Sequence, residues 1–321
     1  RATASGSITD AGTAENIVEE GYQIFDGFGE DRTEFFTNVS TRNGALTIRP
    51  VPVTVTTGSD TMLYDGTPLT KQDAKITGLV NDEQVGIHAT GSQTEVGTSD
   101  NTYEITWDSV NPANYIIEET LGTLTVLENN GQILLHAPSA EKVYDGTALT
   151  ADGKDGQRVT AEGLPAGFTI EATASGSQTD AGTSDNVVDD GYIIRNADGA
   201  DKTASFTNVT KVSGTLSVKK LPVTITTGSA EKAYNGTELT NAEATISGLV
   251  EGESVTLAAT GSLTEVGTAP NSYAITWDNA KADNYTVTEQ LGTLTVTENA
   301  SEVTLTAPSD TKIYDGDRKS V

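Results

Sequence analysis

The sequence of 321 residues predicts an all-β protein built as a tandem array of small domains. The first observation behind this prediction is a repeated motif, Tyr-Asp-Gly-Thr, which stands at 64–67 and 144–147, returns as Tyr-Asn-Gly-Thr at 234–237 and is shortened at 314–316. The second is a series of short runs between these copies in which apolar and polar residues alternate, each run bounded by Gly, Asn or Asp. Roughly seven such strands in each copy, with turn signals about every 8–12 residues, are typical of a β-sandwich.

The spacing of the motif defines two types of repeat. The copies lie 80, 90 and 80 residues apart, so a short and a long repeat alternate with a period of 170 residues. Laid over each other without gaps, the two short repeats are identical at 45 of 80 positions. The predicted domains are the C-terminal part of a long repeat (1–50), a short repeat (51–130), a complete long repeat (131–220), a second short repeat (221–300) and the first strand of another long repeat (301–321).

Both ends of the sequence fall inside a repeat. The sequence is therefore expected to be a window from a longer array. Residues 317–321, Asp-Arg-Lys-Ser-Val, depart from the pattern of the long repeat, and this departure suggests a truncation or a frame artefact.

Each short repeat opens with an alternating strand. In 51–57 the residues Val51, Val53 and Val55 are spaced to share one face. Further strands are predicted at 74–78, 85–90, 103–107, 115–119 and 122–126. Helical periodicity is weak, since the best candidate, 70–73, is no longer than one turn. The predicted architecture is an immunoglobulin-like β-sandwich in each repeat, with a β-grasp-like topology as the alternative.

The strand predicted at 103–107 carries a tryptophan. Alternation places Tyr103, Ile105 and Trp107 on one face. Because Trp107 and its counterpart Trp277 share that face with other apolar side chains, we interpret them as core residues rather than as platforms that stack a sugar ring.

The Tyr-Asp-Gly motif, the first signature, is predicted to form a tight turn after the first strand. Asp-Gly and Asn-Gly pairs favour such turns, because glycine adopts a positive φ without a Cβ penalty. The tyrosine is expected to bury its ring and to satisfy its hydroxyl on a backbone group, as in a tyrosine corner. The residues of the first signature are Tyr64, Asp65, Gly66, Tyr144, Asp145, Gly146, Tyr234, Asn235 and Gly236.

A second signature, Gly-Ser-x-Thr-(Asp/Glu)-(Val/Ala)-Gly-Thr, is followed after three residues by asparagine. Its glycines are interpreted as turn residues, and its acidic and threonine side chains as hydrogen-bond partners of local amides. Because the signature occurs in repeats of both types, a role in maintaining the fold is favoured over a ligand loop. The copies occupy 6–13, 91–98, 176–183 and 261–268, and the second glycine of the last three copies is Gly97, Gly182 and Gly267.

Composition excludes several classes of function. The chain carries 46 acidic and 19 basic residues, a formal net charge of −27, so nucleic acid and anionic membranes are not expected partners. It has no cysteine for a disulfide or a thiolate, and no apolar run approaches the ~18 residues of a membrane span. The two histidines, His88 and His136, align with Ala258 and Thr306 one period later. We therefore expect no enzymatic activity and no cofactor.

The joins between repeats contain almost no linker. The formal charges of the three complete repeats are −10, −4 and −8, so neighbouring repeats repel each other and resist folding back. We expect a monomeric rod in which each repeat has the adjacent repeats of the same chain as its main partners.

Acidic loops of the long repeats are the candidates for a metal site. Aspartates spaced by two or three residues beside glycine supply the oxygen ligands that Ca²⁺ prefers. These loops match no EF-hand pattern, and basic residues lie among the carboxylates, so solvated surface loops are favoured and Ca²⁺ is the alternative. The candidate ligands are Asp152, Asp155, Asp198 and Asp201.

These motifs resemble the YDG-type and MBG-type repeats of bacterial surface proteins. The resemblance rests on both signatures, on Ile-Thr-Gly-Leu-Val at 76–80 and on Leu-Gly-Thr-Leu-Thr-Val at 121–126, and it covers essentially the whole chain. It implies a non-enzymatic stalk or spacer of an adhesin-like protein, extracellular and located at the bacterial cell surface or cell wall. Such a stalk projects a distal binding region away from the cell, and the resemblance transfers no catalytic residue.

A binding function is the alternative to the spacer. In this alternative, loops of the long repeats bind host glycan or mucin, with or without calcium. One such loop contains Phe25, Phe28 and Phe35, and none of these positions is aromatic in the next copy of the long repeat. A ligand site shared by the repeats is not expected to lose its aromatic residues, so the spacer is favoured. Host glycan or protein is then expected to bind through other regions.

Overall fold

Strands dominate the computed structural model, which describes residues 1–152 and 157–318. Within these residues every helix is a single 3-10 turn of three residues, so the predicted all-β class is confirmed. The 3-10 turns are Thr33–Phe35, Pro112–Asn114, Thr203–Ser205 and Ala282–Asn284. The β-grasp-like alternative requires a helix across a sheet, and the described residues contain no helix long enough for that position.

The chain divides into two compact units. Unit 1 comprises Arg1–Leu135, Ala161–Glu171 and Tyr192–Thr210. Unit 2 comprises His136–Thr160, Ala172–Gly191 and Lys211–Val321. Unit 1 thus contains the whole of the first short repeat and unit 2 the whole of the second, whereas the long repeat contributes residues to both. The domain boundaries expected from the sequence periods stay a prediction.

Unit 1 begins with the C-terminal part of a long repeat. Its strands are β1 (Ala4–Ser5), β2 (Gly12–Val18) and β3 (Gly44–Ile48), paired in that order. The strands of the first short repeat are β4 (Val51–Thr57), β5 (Asp60–Leu63), β6 (Ala74–Thr77), β7 (Gly86–Ala89), β8 (Gly97–Asp100), β9 (Tyr103–Thr106), β10 (Tyr115–Thr120) and β11 (Thr123–Leu127). They form three sheets with the orders β10-β4-β6, β5-β11-β8 and β7-β9.

The first two strands of the short repeat pair in parallel with its last two. Strand β4 pairs with β10, starting at Val51 opposite Tyr115, and β5 pairs with β11, ending at Leu63 opposite Leu127. The beginning of the repeat therefore lies beside its end. As a result, the Tyr-Asp-Gly turn that follows β5 lies next to the point where the chain passes into the next repeat.

Apolar residues at alternate positions of these strands form the core of the short repeat. Val53 and Val55 of β4 are 1% and 0% exposed, and Leu124 and Val126 of β11 are 0% and 1% exposed. Their spacing by two is the alternation read from the sequence, because successive side chains of a strand point to opposite faces.

A pair of glycines allows two segments of backbone to approach each other closely. One segment joins β4 to β5, and the other joins β10 to β11. A Cβ atom on Gly122 would lie 2.3 Å from the carbonyl carbon and from the carbonyl oxygen of Gly58. In the second short repeat a Cβ on Gly292 would lie 2.3 Å from the oxygen of Gly228. Only residues without a side chain allow the two backbones to approach so closely.

The later repeats follow the same plan. The strands of the long repeat are β12 (Ile133–His136), β13 (Ala140–Val143), β14 (Thr160–Glu162), β15 (Thr169–Glu171), β16 (Ala174–Ser175), β17 (Gly182–Val188), β18 (Ile193–Arg195), β19 (Val209–Val212) and β20 (Gly214–Lys219). Its sheet orders are β14-β12-β19, β13-β20-β17-β16 and β15-β18. Strands β13 and β20 are parallel, so this repeat also brings its beginning beside its end.

The second short repeat, in unit 2, has the topology of the first. Its strands are β21 (Leu221–Thr227), β22 (Ala230–Ala233), β23 (Ala244–Ser247), β24 (Val255–Ala259), β25 (Gly267–Pro270), β26 (Tyr273–Trp277), β27 (Tyr285–Gln290) and β28 (Thr293–Thr297). Its sheet orders are β23-β21-β27, β22-β28-β25 and β24-β26.

Candidate functional site at the joints between repeats

The first signature forms the same turn in each repeat. Asp65 Oδ1 accepts hydrogen bonds from the backbone nitrogen and the hydroxyl of Thr67, at 2.8 and 2.6 Å. Asp145 and Asn235 accept the equivalent pairs of bonds, at 2.9 and 2.7 Å and at 3.0 and 2.8 Å. The glycines that follow have φ values of +82°, +78° and +77° for Gly66, Gly146 and Gly236. The turn is therefore local, because the side chain of its second residue and the flexibility of its glycine suffice to form it.

A lysine strengthens this turn in two of the three repeats. Lys142 Nζ donates to Asp145 Oδ1 at 2.6 Å and to the carbonyl oxygen of Thr147 at 2.6 Å. Lys142 and the Thr147 donors hold the pKa of Asp145 at about 2. Lys232 makes the same contacts with Asn235, whereas the corresponding residue of the first short repeat is Met62.

In unit 1 the tyrosine of the turn enters the following long repeat. Tyr64 is 1% exposed, and its ring makes edge contacts with Phe168 and Phe206 at centroid distances of 5.8 and 5.9 Å. The two phenylalanine rings contact each other at 5.3 Å. The backbone of the short repeat also joins this long repeat, because Asn129 N donates to Ser205 O at 2.8 Å. Together these contacts form the first joint, which lies within unit 1.

In unit 2 the tyrosine of the long repeat enters the following short repeat. Tyr144 is 6% exposed and packs edge-on against Tyr285 at a centroid distance of 5.6 Å. The hydroxyls of both tyrosines donate to the carboxylate of Glu253, that of Tyr285 at 2.5 Å. The rings belong to an apolar cluster that includes Val218 and Val223. These contacts form the second joint.

The carboxylate of Glu253 raises the pKa of both tyrosines. Hydrogen bonding to Glu253, together with burial, raises the pKa of Tyr144. Burial and the bond to Glu253 raise the pKa of Tyr285 to about 12. The tyrosine-corner interpretation expected a backbone acceptor for the hydroxyl of the signature tyrosine. For Tyr144 the acceptor is instead a carboxylate of another repeat.

The same motif leaves its tyrosine uncovered elsewhere. Tyr234 is 37% exposed and Tyr314 is 94% exposed. The backbone of Tyr234 is nevertheless bonded as that of Tyr64 is. Tyr234 N donates to Thr297 O at 2.9 Å, and Tyr64 N donates to Leu127 O at 2.8 Å. The turn thus presents the ring at the end of the repeat, and the neighbouring repeat determines whether the ring is buried.

The second signature supports the inside of each repeat through a buried asparagine. Asn101 is fully buried, and its Nδ2 donates to Gly58 O at 3.0 Å and to Lys71 O at 2.8 Å. Its Oδ1 accepts no hydrogen bond among the described residues. A Cβ on Gly91, the first glycine of the signature, would lie 2.5 Å from this Oδ1, so an α-hydrogen of Gly91 faces it as a weak donor.

The same arrangement recurs in the other repeats. Asn186 donates to Pro138 O and Ala151 O at 2.9 and 2.7 Å, and Asn271 donates to Gly228 O and Asn241 O at 2.9 Å each. This asparagine follows each copy of the signature in the sequence, but its role as a bridge was not predicted. Its fixed distance from the glycine was the available signal.

The second glycine of the signature begins a strand. Gly97, Gly182 and Gly267 are the first residues of β8, β17 and β25, with φ values of +143°, +145° and +151°. L-residues rarely adopt these values, so the position requires glycine.

The acidic residue of the second signature contacts a neighbouring repeat. In unit 2, Asn284 Nδ2 donates to Asp180 Oδ1 at 3.0 Å, and Ala181 N donates to Asn284 Oδ1 at 2.7 Å. Lys281 Nζ lies 2.6 Å from Asp180 Oδ2. The acidic side chain was expected to bond to local amides, and its contact with another repeat was not predicted.

The acidic residue of the second signature also contacts a neighbouring repeat twice in unit 1, once in the same way and once with a different partner. Asn114 Nδ2 donates to Asp10 Oδ1 at 2.8 Å, and Ala11 N donates to Asn114 Oδ1 at 2.6 Å. In the first joint the corresponding acidic residue is Glu95, which accepts from Lys202 Nζ at 2.8 Å.

The tryptophans pack on the cores of the short repeats. Trp107 stacks on Tyr115 at a centroid distance of 5.8 Å with 20° between the ring planes. Trp277 stacks on Tyr285 at 5.4 Å and 18°. Trp107 packs against an apolar cluster that includes Val53, and Trp277 against the cluster of the second joint. Both tryptophans are partly buried, and their interpretation as core residues stays a prediction.

The acidic loop residues do not come together in the described part of the chain. Asp198 is exposed, and Asp201 accepts from the nitrogen and hydroxyl of Thr203 at 2.9 and 2.7 Å, which lowers its pKa. Asp152 belongs to unit 2 and has an interaction partner, and Asp155 lies outside the described residues. Within 1–152 and 157–318, no three histidine, aspartate or glutamate side chains are grouped as a metal site requires.

One part of the chain is similar to a known protein family. Residues 223–295 match the family model described as MBG domain (YGX type). No curated protein sequence is similar to the chain. Among the described residues, no helix has the length and apolar character that a membrane span needs. The match lies within the second short repeat, and there it confirms the resemblance to YDG-type and MBG-type repeats.

Proposed function

We propose that the chain is a non-enzymatic spacer in an adhesin-like bacterial surface protein, in which interlocked repeats hold a distal binding region away from the cell. The observation that carries this proposal is the joint: a tyrosine at the end of one repeat is buried in the next. Tyr64 and Tyr144 are 1% and 6% exposed. Burying a large aromatic side chain stabilises the contact by about 2–3 kcal/mol, so each joint resists bending.

The family supports the location. MBG repeats occur typically in surface proteins. The alternating repeats, the strongly acidic surface and the absence of cysteine from the sequence agree with an extracellular protein that depends on packing for its stability. The adjacent repeats of the same chain are the partners that this function requires.

Distance measurements across a joint test the proposal. The sequence contains no cysteine, so two introduced cysteines label the full chain specifically. Spin labels at Glu118 and Asp198, both exposed residues of unit 1, lie in the two repeats that Tyr64 connects. We expect a narrow distance distribution in the wild-type chain and a broad one in Y64A, because the variant removes the ring that fills the joint.

A label pair within one repeat serves as the control. Labels at Thr106 and Glu118 lie in the same short repeat, and their distance distribution should be unchanged by Y64A. A distribution between Glu118 and Asp198 that is already broad in the wild-type chain would contradict a stiff spacer. A distribution between these two labels that stays narrow in Y64A would contradict the proposal that the Tyr64 ring stiffens the joint.

Binding of glycan or mucin is the second candidate function. An open groove of about 540 Å³ beside the first joint is lined by Leu63, Val96, Leu127 and Thr207 among others, so its surface is partly apolar. Small-angle scattering of the full chain in calcium and then in chelator, together with a glycan array, separates the two functions. The spacer predicts no change in scattering and no retained glycan, whereas a calcium-dependent change with glycan binding would favour the second candidate.

A further inference from the structure

The acidic residue of the second signature differs between the two types of repeat. In the long repeats it is aspartate followed by alanine, at Asp10 and Asp180, whereas in the short repeats it is glutamate followed by valine, at Glu95 and Glu265. Three of these four residues bond to another repeat of their own unit, and the partner depends on the type.

Aspartate is paired with an asparagine of a short repeat. Asn284, the last residue of a 3-10 turn, is 1% exposed, and both of its amide atoms are used by the pair Asp180 and Ala181. Asn114 ends the corresponding turn of the first short repeat and makes the same two bonds. The two copies show that this pairing is a property of the repeat type.

Glutamate is paired with a lysine of the long repeat. Lys202 precedes the 3-10 turn Thr203–Ser205, and its Nζ lies 2.8 Å from Glu95 Oε1. The lysine side chain is only 18% exposed, whereas the side chain of Glu95 is 59% exposed. Tyr64 of the same joint contacts Phe168 and Phe206 of this long repeat.

We propose that this acidic position is the specificity determinant of the joints, and that it makes the end of each repeat a docking surface for the other type of repeat. Aspartate selects a short repeat with asparagine at the end of its turn. Glutamate selects a long repeat, whose turn is preceded by Lys202 and ends in Ser205 where the short repeat has asparagine. Lysine before the turn does not distinguish the two types by itself, because Lys281 has this place in the second short repeat and bonds to Asp180. The alternating order of the array is then encoded in the contacts of the joints. This inference rests on the proposed spacer function, since it names the partner of each joint.

Side-chain length is the physical basis of the selection. Glutamate is longer than aspartate by one carbon–carbon bond, roughly 1.5 Å. At position 180 this extra length would push the carboxylate past Asn284, because Ala181 N fixes the other atom of the same amide. At position 95 the shorter aspartate would leave the Lys202 ammonium about 4 Å away, beyond hydrogen-bond distance.

The inference also assigns a partner to an uncovered surface. The surface around Tyr234 belongs to a short repeat and carries Glu265 and Val266 where the first joint has Glu95 and Val96. Val266 is 51% exposed, and among the described residues no atom beyond the two chain neighbours of Gly236 lies within 4 Å of a Cβ built on this glycine. A long repeat with lysine before its 3-10 turn is the occupant that this surface fits.

Exchange of the two acidic residues in the full chain tests the proposal. In a W107F background the fluorescence of Trp277 reports unit 2 alone, because the chain has two tryptophans and they lie in different units. We expect D180E to raise the unfolding equilibrium constant of unit 2 about tenfold or more, since a charged hydrogen bond to a buried amide is lost. D180N should raise it only about two- to fivefold, because asparagine keeps the acceptor and loses only the exposed Lys281 pair.

A double-mutant cycle separates pairing from a general effect on the fold. D180A and N284A should be strongly non-additive, whereas E95D and N284A, which lie in different units, should be additive. In a W277F background, E95D should raise the unfolding constant of unit 1 about two- to threefold at low salt.

The proposal is overturned if D180N destabilises unit 2 more than D180E, or if D180A and N284A are additive. In those cases the spacer function could still hold, because the label distances across the first joint do not depend on Asp180. A broad label distribution in the wild-type chain would instead reject the spacer itself.

Discussion

Tyr64 and Tyr144 occupy the same position of the same turn but have different surroundings. In unit 1, Tyr64 lies between two phenylalanine rings of a long repeat, and burial is the largest cause that raises the pKa of its hydroxyl. In unit 2, Tyr144 contacts another tyrosine and donates to the carboxylate of Glu253. The turns themselves are nearly identical, with φ values of +82° at Gly66 and +78° at Gly146.

This difference separates two levels of the structure. The turn depends on residues within three positions of each other and is the same in every repeat. The chemistry around the ring depends on the repeat that follows and changes with its type. A motif repeated for a local reason thus also serves as the contact between domains, because parallel pairing of the first and last strands places the turn at the end of each repeat.

Removal of the rings should have the largest effect and should stay within one unit. Y64A and Y144A should each lower the free energy of unfolding of their own unit by about 3–5 kcal/mol, since each leaves a large cavity in a buried contact. Y234A is the matched control, because this ring is already 37% exposed, and it should cost less than about 1 kcal/mol. Denaturation followed by Trp107 alone and by Trp277 alone measures the two units. If Y234A were as destabilising as Y144A, the rings would support their own repeats and not the joints.

Substitution of Gly122 and Gly292, the glycines that allow two backbone segments to approach closely, should affect the two units equally. G122A and G292A each place a methyl group 2.3 Å from backbone atoms and should cost about 3 kcal/mol by overpacking. The interiors of the short repeats have the same topology, so the two values should agree within about 0.5 kcal/mol. Unequal values, measured with the same two tryptophan reporters, would show that the units differ in more than their joints.

Loss of the hydroxyl alone should distinguish the joints. Y144F should destabilise unit 2 by about 1–2 kcal/mol, because it removes a hydrogen bond to a carboxylate. Y64F should change unit 1 by less than about 0.5 kcal/mol, since the ring contacts are kept. Urea denaturation at neutral pH measures both. Equal losses of unfolding free energy in Y144F and Y64F would mean that the two hydroxyls stabilise their units equally.

Alkaline pH should weaken the second joint. The pKa of Tyr285 is raised to about 12, and that of Tyr144 is also raised, above the value of about 10 in the unfolded chain. The folded state therefore holds these protons more tightly, so their contribution is fully present below pH 10 and is lost as pH rises from about 10 to 12. Y144F has one of these groups fewer and should lose less stability over that interval. Identical pH profiles of the variant and the wild-type unit 2 would contradict this.

The ion pair of the first joint should have the smallest effect. K202M removes the bond to Glu95 and should raise the unfolding equilibrium constant of unit 1 about two- to fivefold at low salt, and less at high salt because the glutamate is 59% exposed. K281M, at a pair with 67% and 48% exposed side chains, should cost less still. A cost of K202M that does not change with salt would indicate that packing of the lysine methylenes matters more than its charge.

Much of the fold could be predicted from short stretches of sequence. Alternation in 51–57 predicted the buried Val53 and Val55, and the predicted strand at 74–78 matches Ala74–Thr77 within one residue. These features depend on neighbouring residues only. The bridge that Asn101 makes between Gly58 and Lys71 could not be predicted in this way, because these partners lie 43 and 30 residues away from it.

By itself the sequence determined the repeats, their two types, the strands and the turns, because each of these depends on local periodicity and on residues a few positions apart. Only the tertiary structure decided that the tyrosines of the turns belong to joints. Tyr144 and its acceptor Glu253 are 109 residues apart, and the parallel pairing that brings the turn to the end of a repeat joins strands at opposite ends of that repeat. Contacts at such separations follow from the packing of whole sheets, and no local pattern encodes them.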